Sequence, residues 1–392
     1  MKHNDCALVL GGYVNGYSII QELHENGVKN IVLFDVNKKA GAYSNKIKKF
    51  ILIDKTPDTL YKELKKLHTE YDQIIIFPTN DLEVENLYKI YNKIKSFCFL
   101  PFNYENIISS SDKYVQYSYC EKLGVPYPKT LHIEKNEDIE KIISIQFPIL
   151  VKPNKRDDLK VQVFRNLQLY NKTDFEKNRG KLQEFLKMGI SFLASEIIPG
   201  DGSNIYAYVG YRSQSGKILN EWTGKKLSQH PNDFGVFSSA SNEAPEEILN
   251  FGRILLDGMN IIGIAQPEFK YDARDNKYKL MEINLRSMMW HRVGNLSGVN
   301  IQYSQYLDAL QKDVPKQIQL KEKKIHFVYL KHEIENTITR KGYYKICIHN
   351  LIKADDTFFA LYDTKDIKPF LIDCKDIIKD TGVICLKTLK II

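Results

Sequence analysis

The chain is poor in cysteine, with six in 392 residues, and Cys6, Cys98, Cys120, Cys347, Cys374 and Cys385 form no close pair. That spacing excludes a disulfide framework and a zinc cage, and it predicts reduced thiols. The nine histidines also lack metal-ligand spacing. No apolar run approaches the roughly 20 residues that cross a bilayer, so no membrane span is expected. The N-terminus MKHNDCALVLGG lacks the apolar core and cleavage site of a secretory signal, which predicts a cytoplasmic protein. No internal repeat is visible. No short segment is strongly basic either: the formal charge of +8 is spread along the chain, chiefly on lysine. This predicts a solvated lysine surface, leaves room for an anionic ligand, and argues against a nucleic-acid partner.

At this length two or three domains with substantial cores are expected. An apolar share of 43% and a charged share of 27% fit an ordinary globular protein. Cys6–Leu10 is an apolar strand entering Gly11-Gly12-Tyr13-Val14-Asn15-Gly16; an amphipathic segment runs to Asn26, and Asn30–Phe34 is a second strand ending at Asp35. This βαβ opening misses the G-x-G-x-x-G spacing of a dinucleotide site, so a structural Rossmann-like half is expected rather than a working nicotinamide site. Alternation continues through the strand Phe50–Ile53, the helix Leu60–His68 and the strand Gln73–Phe77, which enters Pro78-Thr79-Asn80-Asp81. Asp81 is placed to cap the helix Leu82–Ile94, with substrate contact as the alternative.

The chain is organised around AQPEFKYDARDNKYKLMEINLRS, residues Ala265 to Ser287, which reads as a hairpin about the polar turn Asp272–Asn276. Residues two apart share a strand face, so Gln266, Glu268 and Lys270 align, as do Glu282, Asn284 and Arg286. Folding about the turn sets Glu268 across from Glu282. Facing carboxylates repel. A hard cation between them, Mg²⁺ or Mn²⁺ with the Asn284 amide as a third oxygen donor, explains the pattern; a solvated face of mixed charge is the other explanation. Arg286 is placed to hold an anion.

Between these parts, Ser109-Ser110-Ser111-Asp112-Lys113 caps a helix through Leu123, broken by Gly124-Val125-Pro126. Phe147–Pro153 is a buried strand ending on Lys152, which either meets an anion or reaches back to water. Asn154–Lys160 is a polar turn, Val161–Phe164 the expected returning strand, and Phe175–Lys187 a helix. Phe192–Ile198 is a strand carrying Glu196, closed by Pro199-Gly200-Asp201-Gly202, an arrangement suited to a purine pocket. Ile205–Tyr211 and Lys217–Trp222 form a second hairpin, followed by Gly224-Lys225-Lys226. His291–Ile301 brings Gly294 and Gly298, both expected near the carboxylate face. The tail from Lys321, with short strands at Phe358–Tyr362 and Val383–Leu386, reads as an appended α+β segment.

Asp112-Lys113, FPILVKP with Lys152, SEIIPG with Glu196, EFK with Glu268 and EINLR, in that order, resemble the ATP-grasp superfamily over Ser109 to Gln311. Within it the nearest likeness is to carboxylate–amine ligases of the D-aspartate ligase-like kind. The resemblance implies an α/β (α+β overall) protein: a Rossmann-like domain (1–110), an ATP-grasp domain with an antiparallel-sheet core (111–315, its lid about 120–194) and a small C-terminal extension (316–392). It implies that Lys113 and Lys152 contact ATP phosphates and that the Glu196–Ile198 strand binds adenine, with Asp201 or Ser203 near ribose. It further implies that Glu268, Glu282 and Asn284 hold Mg²⁺ (or Mn²⁺), and that Arg286 steadies the transferring phosphoryl group. Lys226 or Lys225 is expected to reach phosphates or the carboxylate substrate. His291 either assists deprotonation of an amine or is satisfied by local hydrogen bonds. The sequence departs from the pattern in two places. The loop Asn154–Lys160 has no glycine and offers Lys155 and Arg156, and Leu285 stands where a proline is usual.

The expected activity is ATP-dependent joining of a carboxylate to an amine through an acyl phosphate. The substrates would be small molecules, or the acceptor an anionic sugar- or nucleotide-linked one. Other ATP-grasp chemistry, such as carboxylation or phosphorylation of a small molecule, and a non-catalytic nucleotide-binding role remain as alternatives. The sequence leaves oligomeric state open.

Overall fold

The computed structural model describes residues 3–154, 162–232 and 235–388. By packing, the chain forms two compact units: Met1–Ile107 with Asp201–Pro267 and Asn284–Ile392, and Ile108–Gly200 with Glu268–Ile283.

The first unit begins with β1 (His3–Leu10), β2 (Ile31–Asp35), β3 (Lys49–Leu52), β4 (Tyr71–Phe77) and β5 (Cys98–Phe99). They form a parallel sheet in the order β3-β2-β1-β4-β5, a doubly wound arrangement. Cys6 to Leu10 and Ile31 to Phe34 are buried throughout, as parallel strands covered on both faces must be. Gly11 has φ 86°, and a Cβ on Gly16 would lie 1.8 Å from the Gly11 carbonyl oxygen, so the helix Val14–Glu25 packs directly onto the turn.

The second unit holds a four-stranded sheet of β6 (Thr130–Ile133), β7 (Ile149–Pro153), β8 (Leu167–Leu169) and β9 (Phe192–Glu196), ordered β6-β9-β7-β8 and antiparallel throughout. Ile149, Val151, Leu169 and Phe192 share one core with Phe175, Leu182 and Leu186 of the helix Lys172–Lys187. The returning strand expected at Val161–Phe164 is instead Leu167–Leu169, which pairs Leu167 with Val151 and Leu169 with Ile149. Val163 and Phe164 pack against the core without pairing. Val161 and most of the glycine-free loop, Lys155 to Lys160, lie outside the described residues.

Returning to the first unit, β10 (Ile205–Arg212), β11 (Ile218–His230) and β12 (Val236–Ser241) make an antiparallel meander. The hairpin follows as β13 (Gly263–Asp272) and β14 (Lys277–Asn284), about a turn with Asn276 at φ 55°. The unit boundaries fall within these strands, after Pro267 and after Ile283. The tail adds β15 (Ile325–Val328), antiparallel to β12, and β16 (Asp356–Phe359), parallel to β15. The sheet order is β14-β13-β10-β11-β12-β15-β16, so the tail completes a sheet rather than standing as an appended segment. Val383–Leu386 is not a strand but part of the helix Lys368–Thr388. In that helix Pro369, Asp373 and Ile377 recur as buried positions at the spacing of a helix face, and a four-residue apolar run alone cannot tell strand from helix.

Candidate functional site

The carboxylate face of the hairpin is set by the helix Lys113–Leu123. Asp112 caps it, accepting from the Tyr114 and Val115 amides, and Gly124 at φ 70° ends it. Residues three and four apart share a helix face. Gln116 uses that geometry to imitate a neighbouring strand. Its Nε2 donates to the Ile283 carbonyl at 3.1 Å, and its Oε1 accepts from the Ile283 amide at 2.9 Å. Tyr117 Oη donates to the Met281 carbonyl at 2.9 Å. With the helix so registered, Lys113 Nζ lies 2.5 Å from Glu282 Oε2. Burial works against the Lys113 charge, but Glu282, Tyr117 and Glu268 outweigh it and raise its pKa. The structure therefore brings Lys113, Glu268 and Glu282 together. Asn284 ends β14 two residues beyond Glu282, on the same strand face. Two carboxylates and an amide oxygen are the donors a hard divalent cation takes, so the residues present fit Mg²⁺.

The turn end of the hairpin is built differently. Asp272 is fully buried and accepts from Arg274 at 2.8 and 2.5 Å and from Lys279 at 2.7 Å. The bonds from Arg274 hold its carboxyl well below the usual range, against the cost of burial and with help from Lys279. Glu196, the acid expected at a purine pocket, joins this network: Arg274 is 2.9 Å away, Lys279 3.2 Å, and the Lys129 amide donates at 3.0 Å. Lys270 Nζ donates to the carbonyls of Ile198 and Gly200 at 2.9 and 2.5 Å. Lys152 is half-buried on β7, opposite Leu193.

In the first unit, Asp201 accepts from the Ser203 amide and hydroxyl at 2.9 and 2.6 Å, forming a local polar turn. Lys226 is buried on β11 opposite Ala240, and Lys225 stands over the Tyr206 ring at 6.0 Å. Arg286 pairs with Asp81 through two bonds, Nε to Oδ1 at 2.7 Å and Nη2 to Oδ2 at 3.0 Å. The cap expected of Asp81 is supplied by its neighbour: Asn80 accepts from the Glu83 amide, and Glu83 reaches back in a capping box. Asp81 is thereby free of capping and holds the arginine.

His291 is buried, with Nε2 2.8 Å from Gln266 Oε1. Burial first, and the Arg286 charge second, push its pKa down to about 3. The enclosed imidazole is bonded through Nε2, while its buried Nδ1 has no partner among the described residues, so the local-hydrogen-bond reading holds at one ring nitrogen. Beside it stand Trp222 and Trp290, edge to face at 5.6 Å, with Trp222 6.1 Å from His291. A Cβ on Gly294 would lie 2.3 Å from Trp222 Nε1, so this glycine admits an indole; Gly298, at φ 93°, serves a turn. Asp35 accepts from the Gly12 amide at 2.6 Å, and a Cβ on Gly41 would lie 2.9 Å from the Gly12 carbonyl. The glycine turn is thus packed by its own chain.

Sequence reasoning missed Gln116, Tyr117, Arg274 and Lys279. Gln116 and Tyr117 follow Lys113 at helical spacing, a signal that was available. Arg274 and Lys279 flank the turn and bind an acid that an alternation count assigns no role.

No family model matches the chain. It is similar to a D-aspartate ligase of Enterococcus faecium (strain Aus0004), 24% identical over 312 residues, covering 75% of this chain and 74% of the relative. Among solved structures it is similar to an N5-carboxyaminoimidazole synthetase from Staphylococcus aureus complexed with ADP, with TM-score 0.64, 16% identity, and coverage of 88% of this chain and 87% of that one. A biotin carboxylase from Campylobacter jejuni in a beta-gamma-ATP complex gives TM-score 0.61, 14% identity, and coverage of 79% and 72%. A phosphoribosylglycinamide synthetase from Anaerococcus prevotii gives TM-score 0.59, 13% identity, and coverage of 79% and 76%. With its parallel sheet, its four-stranded antiparallel sheet and its carboxylate hairpin, the chain has the ATP-grasp fold.

Proposed function

We propose that the protein is an ADP-forming carboxylate–amine ligase. One observation carries this reading: Lys113 is docked by Gln116 onto a hairpin face bearing Glu282 and Glu268. A nucleotide triphosphate needs both a fixed cation for its phosphate oxygens and carboxylates for its metal. Lys113 and Lys152 are assigned to ATP phosphates, the Glu196–Ile198 segment to adenine, and Asp201 or Ser203 to ribose. Glu268, Glu282 and Asn284 would hold Mg²⁺, which supplies charge neutralisation of the phosphate oxygens when bound.

The carboxylate substrate attacks the γ-phosphorus, ADP leaves, and an acyl phosphate results. The amine then adds to the acyl carbon, the C–O bond to phosphate breaks as the amide forms, and the proton lost from nitrogen leaves with the departing phosphate. Arg286, oriented by Asp81, is assigned to the charge developing on the transferring group, and Lys226 to an anionic group of substrate. His291 stays neutral at working pH and is not assigned a proton. The proposed substrates are small-molecule carboxylates and amines, among them an acidic amino acid or an anionic sugar- or nucleotide-linked acceptor. No described helix is long and apolar enough to cross a membrane, and a cytoplasmic site of action is proposed.

ATP-dependent carboxylation is the second reading, favoured by the likeness to solved carboxyaminoimidazole synthetase and biotin carboxylase structures. Measuring ADP and phosphate release against paired carboxylates and amines, with and without bicarbonate, separates the two. Release that needs both partners and yields an amide of matching mass supports the ligase. Release that needs bicarbonate and an amine supports carboxylation and removes the first reading.

A further inference from the structure

The helix Tyr344–Lys353 has no buried residue. Its attachment lies at one end and along one line. Tyr343, at its N-terminus, is buried, with its hydroxyl bonded to Glu333 at 2.9 and 3.0 Å; Cys347 and Asn350 are half-buried at spacings of four and seven residues from it. At about 100° per residue, Tyr344, Ile348, Leu351 and Ile352 then form one strip on the open side. These side chains are 52%, 50%, 42% and 77% exposed. Scattered exposed apolar residues are ordinary, but four on one strip of one helix are not.

Charge is arranged just as unevenly. Lys345 borders the strip, Lys353 lies further round on the same side two turns on, and Arg340 and Lys341 precede the helix. From Asn336 to Ala354 there is no acidic residue. An apolar strip edged by cations on a surface helix is the pattern of an element lying in a membrane interface, its apolar side among acyl chains and its cations among anionic headgroups. A second copy docked face to face on this strip would bring like charges together.

We propose that the helix Tyr344–Lys353 is a docking surface for a bilayer carrying anionic lipid, lying flat with Tyr344, Ile348, Leu351 and Ile352 inserted. This holds whatever the ligase substrates are. The test is co-sedimentation of the full chain with vesicles of phosphatidylcholine alone and with a minority of phosphatidylglycerol. The expected result is a several-fold larger bound fraction on the anionic vesicles, reduced by salt. The double variant Ile348→Asp/Ile352→Asp and the double variant Lys345→Glu/Lys353→Glu are each expected to lose that excess while keeping wild-type melting. Equal binding to both vesicle types overturns the proposal. So does a concentration-dependent dimer that Ile348→Asp dissolves, since the strip then belongs to a second copy.

Discussion

At the turn end of the hairpin, Asp272 is fully buried between Arg274 and Lys279, whereas toward the other end Glu282 is 35% exposed and meets Lys113 at 2.5 Å. Both acids sit on the same two strands, yet their surroundings differ in kind. Asp272 is closed over by cations that it also positions, and such an acid serves the fold. Glu282 keeps surface open beside a lysine that faces a second carboxylate, and such an acid can exchange a lysine for a ligand. An acidic residue in a strand is therefore no evidence of a site until the cations around it are counted.

The sharpest way to break this contrast is Glu282→Ala. ATP turnover should fall by more than about a thousandfold, roughly 4 kcal/mol of transition-state stabilisation, with the melting temperature near wild type. Wild-type turnover in a phosphate-release assay would sink the metal and phosphate assignment. Asp272→Ala should do the reverse, costing about 3 kcal/mol of stability because the buried Lys279 and the part-exposed Arg274 lose the buried acid they share and keep only Glu196 and Asp275. Chemical denaturation measures it, and an unshifted midpoint would show that the turn end is dispensable. The Asp272 carboxyl is held below its ordinary value, so its contribution is present above about pH 4 and lost as pH falls further. Asp272→Asn should flatten that acid limb.

Asp81→Asn weakens the hold on Arg286 without touching the arginine. A loss of about tenfold in kcat, close to 1.4 kcal/mol, with little change in ATP affinity is expected; a change in ATP affinity alone would contradict the positioning role. The smallest effect belongs to His291→Asn. Its folded pKa lies near 3 against about 6.5 unfolded, so the unfolded chain binds the extra proton between those values and stability rises with pH there. The variant should lose that slope and leave the pH profile of kcat alone.

Much of this was legible in the chain. The hairpin shows itself through period two and a polar turn, and the placement of Glu268 and Glu282 follows from alternation. The Lys113 cap sequence marked a helix start. The partnership between Gln116 and Ile283 was not legible, because a side chain that imitates a strand edge leaves no periodic trace. Asn80 and Asp81 are adjacent cap formers, and the Asn80–Glu83 spacing of a capping box is what distinguishes them. Val383–Leu386 was misread because four apolar residues in a row carry no phase. The unit division was hidden for a different reason: β15 and β16 join a sheet whose other strands lie far back in sequence.

The tryptophan pair has a practical consequence. The chain has two tryptophans, Trp222 and Trp290, and both are 1% exposed and edge to face beside His291. All of the protein's indole emission therefore comes from one buried spot, where Trp290 follows Arg286 by four residues and Trp222 packs against it. His291 is uncharged above about pH 4, so the adjacent imidazole leaves the signal constant across neutral pH. The molecule carries its own optical reporter, with no label to attach.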